Sequence, residues 1–234
     1  MNADSRRRRL LWMGAGAGLL ALAAVLLLVV AGSSGDDDGD IRLKGVAAVN
    51  EFLAGYPQEA AVIGDLGAPV ETVEYGDLQG KADKRFAEGP MRQILENQVK
   101  QGATKIDFRF MVVVGEESNP AGAAAYAASL QGRGWNFIEI FYRNQGKPNS
   151  GYAADDDFLE AVAEAAGVKD LDKWTEDREN STTWVQENTE EGENEEFHEA
   201  PGFTVRGPVL NEELESVGVS PSAKELADAI EGAH

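Results

Sequence analysis

The sequence predicts an α/β domain whose sheet is split by a block of helices, with one apolar span ahead of it. Three observations carry this. The apolar run Val70 to Tyr75 breaks at Gly76-Asp77 and gives way to a helical pattern beginning near Lys81. A second strand-like run, Lys105 to Val114, follows that helix, completing a strand–helix–strand unit. From Asn119 the chain is helical in pattern until about residue 196, and strand residues return at Phe203 to Arg206. A helical block between two β-containing halves still lets both halves share one sheet.

Composition sets the outer limits. The chain has 234 residues, a formal charge of −20, 43% hydrophobic residues and no cysteine. Such an acidic surface repels nucleic acid phosphates and anionic lipid, so a nucleic-acid partner is excluded. The absence of cysteine excludes a disulfide framework, a thiolate metal site and a thiol nucleophile. Two histidines, His198 and the terminal His234, do not supply a zinc ligand set, even with Glu196 and Glu199 beside the first. No metal and no cofactor are expected.

Taken in order, residues 1–9 form a basic tail carrying Arg6-Arg7-Arg8-Arg9. Leu10 to Ala31 follows, 22 residues without a charge. At about 1.5 Å per residue, such a run spans a hydrocarbon core of roughly 30 Å. The arginines stay cytoplasmic, which places the remainder outside the cell membrane. A retained single-pass anchor is the reading adopted. Secretion after cleavage is the alternative, although Val30-Ala31-Gly32 is a poor cleavage motif. Residues 32–59 are read as a linker and N-terminal extension. Gly32 to Asp40 has linker composition and lacks the spacing and closing glutamate of a calcium loop. Val46 to Leu53 within this extension has helical spacing and is stopped by Tyr56-Pro57.

Residues 60–231 are assigned to the folded domain. Ala61 to Gly64 reads as a short strand and Val70 to Tyr75 as a central one. Lys84 to Gln101 repeats Phe86, Met91, Ile94, Leu95 and Val99 at near-helical spacing, with a kink expected at Pro90. The inserted block, about 117–196, holds Pro120 to Leu130, Trp135 to Arg143, Asp155 to Ala166 and one helix from Leu171 to about Asn188. Its aromatic residues sit at helical spacing and are read as core. Thr189 to Glu199 is strongly acidic. A last helix runs from Pro221 or Ser222 to Ile230.

The stretch Val73-Glu74-Tyr75-Gly76-Asp77-Leu78-Gln79 closely resembles the active-site strand of the DsbA-family thiol oxidoreductases, including their membrane-anchored Gram-positive type. The likeness extends over roughly residues 60–231. Ala121 to Tyr142 is similar to the family's first inserted helices, and Gly167 to Leu171 to its usual helix junction. The resemblance implies a thioredoxin-like fold with a helical insertion. In the family a C-x-x-C pair follows this strand; here the four positions read Gly80, Lys81, Ala82 and Asp83. Thiol exchange needs two sulfurs, so the family activity, a thiol-disulfide oxidoreductase, is the disfavoured alternative. A glutathione-dependent transferase would need a serine or similar group at 80–83, and none is there.

The resemblance assigns two further positions. Glu74 matches an acidic residue beneath the cysteine pair that helps move its protons. Pairing with Lys81, or simple exposure on the strand, are alternative readings. Ala200-Pro201 is similar to the cis-proline loop that faces the family's active site and binds substrate backbone, although Ala200 replaces the usual Thr or Val. For Gly80 and Asp83 the plain reading is a helix cap and a first-turn carboxylate on free N–H groups. The expected function is peptide or protein binding, to an exported peptide or a membrane-protein partner, as chaperone, scaffold or regulator.

Overall fold

The computed structural model describes residues 41–234 apart from Glu212. The basic tail, the apolar span Leu10–Ala31 and residues 32–40 lie outside the described residues. No helix among the described residues is long and apolar enough to cross a membrane. Ile41–His234 is one compact unit. It takes in residues 41–59, which the sequence reading set apart. Burial is the reason: helix α1 (Val46–Leu53) sinks Val49 and Leu53 into the main core.

Six strands form one sheet: β1 (Gln58–Glu59), β2 (Val62–Ile63), β3 (Val70–Gly76), β4 (Thr104–Phe110), β5 (Gly202–Arg206) and β6 (Glu215–Val219), in the order β1-β2-β4-β3-β5-β6. Only β3 and β4 pair in parallel. β3 is buried along its whole length except at Glu71, as a central strand must be. Glu71 faces Lys105 on one neighbour and Arg206 on the other, at 3.4 and 2.5 Å. β4 alternates, with Ile106, Phe108 and Phe110 in the core.

β4 ends at Phe110, four residues before the end of the run Lys105 to Val114 that predicts it. The N–H groups beyond it have other acceptors. Val112 N–H donates to Thr189 Oγ1, and those of Val113 and Val114 to Asp77 Oδ2. Side chains thus draw the backbone out of the ladder.

After β3 the chain enters α2 (Lys81–Phe86), a π-helical turn (Ala87–Met91), α3 (Arg92–Ile94) and a second π-helical turn (Leu95–Val99). The first wide turn contains Pro90, the expected kink. It accommodates a residue with no N–H and a ring that crowds the preceding turn. Phe86, Met91, Ile94, Leu95 and Val99 are all buried.

The insertion contains α4 (Ser118–Ser129), α5 (Gly134–Arg143), a short 3-10 turn (Tyr152–Ala154), α6 (Asp156–Ala166), α7 (Leu171–Asn180) and α8 (Thr182–Asn194). Asp155 caps α6 through Phe158 N–H, and left-handed Gly167 ends it. The single helix expected from Leu171 to about Asn188 is two, broken at Ser181. The Ser181 hydroxyl turns back onto Asp177 O, and the next ladder starts from Ser181 O to Val185 N–H. The break separates the two tryptophans. Trp174 is buried and donates to Ala124 O at 2.9 Å, whereas Trp184 stacks on Tyr126 with ring centroids 3.8 Å apart. After β6, helix α9 (Ala223–Ala233) opens with a reciprocal Ser222–Glu225 capping box.

The helices of the insertion gather around α4. Its Ala121, Ala123, Ala124, Ala125, Ala127 and Ala128 are all fully buried. A helix buried on all faces needs small residues where neighbours approach closely. Ala124→Leu should therefore cost about 1–3 kcal/mol by overpacking. Urea unfolding checks this as a fall in midpoint with unchanged slope.

Candidate functional site

The site stands where β3 runs out. Gly76 lies against the Phe108 ring, so close that a Cβ there would meet Phe108 Cζ at 2.4 Å. The next residues, 77–80, form a buried turn closed by Gly80 N–H donating to Asp77 O at 2.9 Å. Asp77 is 0% exposed, and both its carboxylate oxygens are used. Oδ1 accepts from Gln79 N–H, and Oδ2 from Val113 N–H, Val114 N–H and the Ser118 hydroxyl, all at 2.7–2.9 Å. This one side chain joins the loop after β3 to the loop after β4 and to the start of α4. Burial raises its pKa, and these hydrogen bonds oppose the rise.

The insertion closes the turn from above. Gln145 Nε2 donates to Leu78 O and Gly80 O at 2.8 and 3.0 Å. Gln79 donates to Ser118 Oγ and accepts Asn149 N–H. The sequence marks Asp77 and Gln79 only as members of the stretch after the strand and does not mark Ser118, Gln145 or Asn149. They are ordinary polar residues, and only their meeting in space gives them a role.

Gly80 is the N-cap of α2, with extended backbone, φ −67° and ψ 125°. Its requirement for glycine is spatial. A Cβ on Gly80 would stand 1.7 Å from Asp83 Oδ2 and 2.6 Å from Asp83 Cγ. The Asp83 carboxyl group thus fills the place that a side chain at 80 would take. The plain reading put Asp83 on the free N–H groups of its own helix. Asp83 does stand in the first turn, where its own N–H favours the charged form; its Oδ1 also accepts from Asp77 N–H in the preceding turn, at 2.9 Å, and Oδ2 has no partner among the described residues. Burial pushes the Asp83 carboxyl up to about 7, with the Asp77 N–H opposing the rise and the Asp77 charge adding to it. Lys81 is exposed and Ala82 partly so.

Glu74 is 2% exposed, so neither the exposed-strand reading nor the pairing with Lys81 holds. Its Oε2 is buried and has no hydrogen-bond partner among the described residues. Burial first, then the charges of Asp83 and Glu139, hold its carboxyl well above the usual range. Glu139 comes from α5 and is also 2% exposed. Burial pushes it up to about 7 against the pull of Arg143 and Arg92. A signal for it was present, since it interrupts the apolar run Trp135–Tyr142. Beneath Gly80, then, lies a group of buried carboxyls that retain protons far above the ordinary carboxylate range.

The Ala200–Pro201 peptide bond is cis. Pairing of Tyr75 with Gly202 brings Pro201 to the same end of the sheet as the 77–80 turn. Pro201 O accepts Ser220 N–H at 2.8 Å, which holds this loop to the one leading into α9. An open groove of about 440 Å³ runs between α2 and that second loop, lined by Ala82, Arg85, Phe86, Pro90, Pro221 and Glu225 among others. His198 is exposed, and no group of His, Asp and Glu side chains suited to a metal ion occurs among the described residues.

A family model described as thioredoxin matches residues 57–222. Over 172 residues the chain is 25% identical to a probable disulfide bond formation protein D of Bacillus cereus, covering 72% of this chain and 79% of that one. The fold is similar to the crystal structure of oxidised BdbD from Bacillus subtilis, with a TM-score of 0.62 at 20% identity over 76% of this chain and 92% of the other. It is also similar to alpha-DsbA1 of Wolbachia pipientis, with a TM-score of 0.60 at 17% identity over 74% and 89% of the two chains.

Two outcomes test this geometry. Gly80→Ala should lose about 1–3 kcal/mol by collision with the Asp83 carboxyl. In the background of Asp83→Gly most of that loss should vanish, which a double-mutant cycle of unfolding free energies measures. The second concerns pH. Raised folded pKa values mean that the folded chain binds more protons than the unfolded one. Stability from Asp83 and Glu139 is fully present below their unfolded values near 4 and falls as pH rises through about 7. Asp83→Asn should flatten the decline of melting temperature between pH 4 and 8.

Proposed function

From the premise that this chain belongs to the thioredoxin family, in its DsbA-like branch, we propose that it is a redox-inactive domain that binds extended peptides or a membrane-protein partner. The single observation that carries this reading is the exchange at the helix start. The chain has no cysteine, and at Gly80 the side-chain volume is filled by the Asp83 carboxyl. In this reading Gly80, Lys81, Ala82 and Asp83 stand at the family's C-x-x-C positions. Thiol–disulfide exchange proceeds by attack of a thiolate on a disulfide sulfur, and this chain provides neither atom. That argues against the oxidoreductase alternative.

The parts that serve binding in an extended-peptide groove remain together. Pro201 of the cis-proline loop has no N–H to occupy, and an extended ligand is held chiefly by main-chain hydrogen bonds that need no sulfur. The neighbouring groove offers Ala82 and Pro90 as apolar surface and Arg85 and Glu225 as charges. Tethering outside the membrane by Leu10–Ala31 is part of the same proposal and rests on the run of uncharged residues after Arg6–Arg9.

The test is an NMR titration of the compact unit with unfolded peptides of exported type. Saturable shifts confined to residues 79–84, 199–204 and 220–225 are expected. No shift at millimolar peptide would remove the peptide-binding reading. A gain-of-function experiment tests the positional assignment. Gly80→Cys/Asp83→Cys should acquire dithiol oxidase activity on a reduced model peptide, because the second substitution clears the space that the first requires. The unaltered chain should show none.

A further inference from the structure

On the insertion, away from the 77–80 turn, is a cavity of about 250 Å³. It lies between the end of α1, the α4–α5 turn and the α6–α7 turn. We propose that it is a binding site for a small oxyanion of the phosphate class, held by Arg133 and Lys169.

Charge is the first argument. Arg133 and Lys169 are the only charged residues among those lining the cavity, and no carboxylate lines it. Neither cation comes within 4.0 Å of a carboxylate among the described residues. In a chain with 41 acidic and 21 basic residues, a lining that carries two cations and no carboxylate is locally basic. The nearest acidic residue in sequence, Asp170, is turned to its own helix, where Oδ1 accepts Lys173 N–H.

The walls are built rather than incidental. Gln58 is fixed at both ends, donating to Asn136 Oδ1 at 2.8 Å and accepting Trp135 N–H at 3.2 Å. Asn136 donates in turn to Asn50 Oδ1, and Asn50 to Ala165 O. This chain of amides locks β1, α1, α5 and the end of α6 around the cavity. On the other side Gln131 accepts the N–H groups of Lys169 and Asp170 and donates to Asp170 O, which fixes the backbone that carries Lys169.

Two glycines keep the space open. Gly132 and Gly167 are both left-handed, with φ +67° and +88°. A Cβ on Gly167 would lie 3.4 Å from Arg133 Nε, so the bare backbone lets the guanidinium lie across the turn. Guanidinium and ammonium groups together suit a polyoxyanion, one as a fork and the other as a mobile point charge. The open cleft, about 250 Å³, has room for a phosphate ion. The same chemistry is offered by free phosphate and by the phosphate of a lipid headgroup.

The experiment uses the full-length chain in detergent micelles and inorganic phosphate as probe, at constant ionic strength set with chloride. Thermal melting should rise saturably with phosphate. Arg133→Gln/Lys169→Gln should weaken this response at least tenfold, as should the exposed single variant Lys169→Gln in part, while Lys147→Gln leaves it unchanged. A second arm adds vesicles of phosphatidic acid against vesicles of a neutral lipid. Binding that the double variant loses identifies a headgroup source, and a response to inorganic phosphate alone identifies the free ion. A response no greater than chloride gives, with no variant-sensitive vesicle binding, overturns the proposal, as does an equal response in the wild type and both variants.

Discussion

The Asp77 carboxylate is the constraint on which the rest of this site depends. It is fully buried and accepts four hydrogen bonds, three of them from backbone N–H groups on two different loops. A buried carboxylate left without such donors is strongly destabilising, so this arrangement is an all-or-none assembly. Its effects reach outward. It ends β4 at Phe110, sets where α4 begins, and fixes the turn from which α2 starts. The insertion is thereby fastened to the sheet at the turn that follows β3.

Close to that turn, the structure buries three carboxyl groups. Glu74, Asp83 and Glu139 are each at most 2% exposed, and each holds its proton far above the ordinary range, chiefly because burial disfavours the charged form. Gly80 and Asp83 are spatially coupled. A side chain at 80 and a carboxyl at 83 compete for the same volume, so a glycine at one position is what admits the aspartate at the other. The pair leaves the helix start well filled and without a thiol.

The insertion follows a different logic, that of close approach. Its central helix, α4, has alanine or glycine at seven positions from 121 to 128, every one of them buried. Its neighbours contribute the bulk, with Trp135, Trp174, Phe137 and Phe141 all buried. Small residues on the inner helix and large ones on the outer helices interdigitate, and this rigid block presents Gln145 and Asn149 to the turn at 77–80.

The sequence alone determined what depends on local pattern and on residue chemistry. The alternation in β4, the helical spacing from Phe86 to Val99, the proline kink and the helical block are legible because period and turn residues are local signals. The absence of thiol chemistry is legible too, because a missing element needs no structure. Tertiary structure decided everything that depends on non-local partners. Val112 to Val114 reads as strand, yet leaves the sheet because Thr189 and Asp77 supply acceptors from 36 to 77 residues away. Leu171 to Asn188 reads as one helix, yet divides where Ser181 folds back. Glu74 becomes a buried acid only because α2 and α5 close over it. Local propensity is a weak force against a buried hydrogen bond or an excluded water, and where the two conflict, the long-range partner prevails.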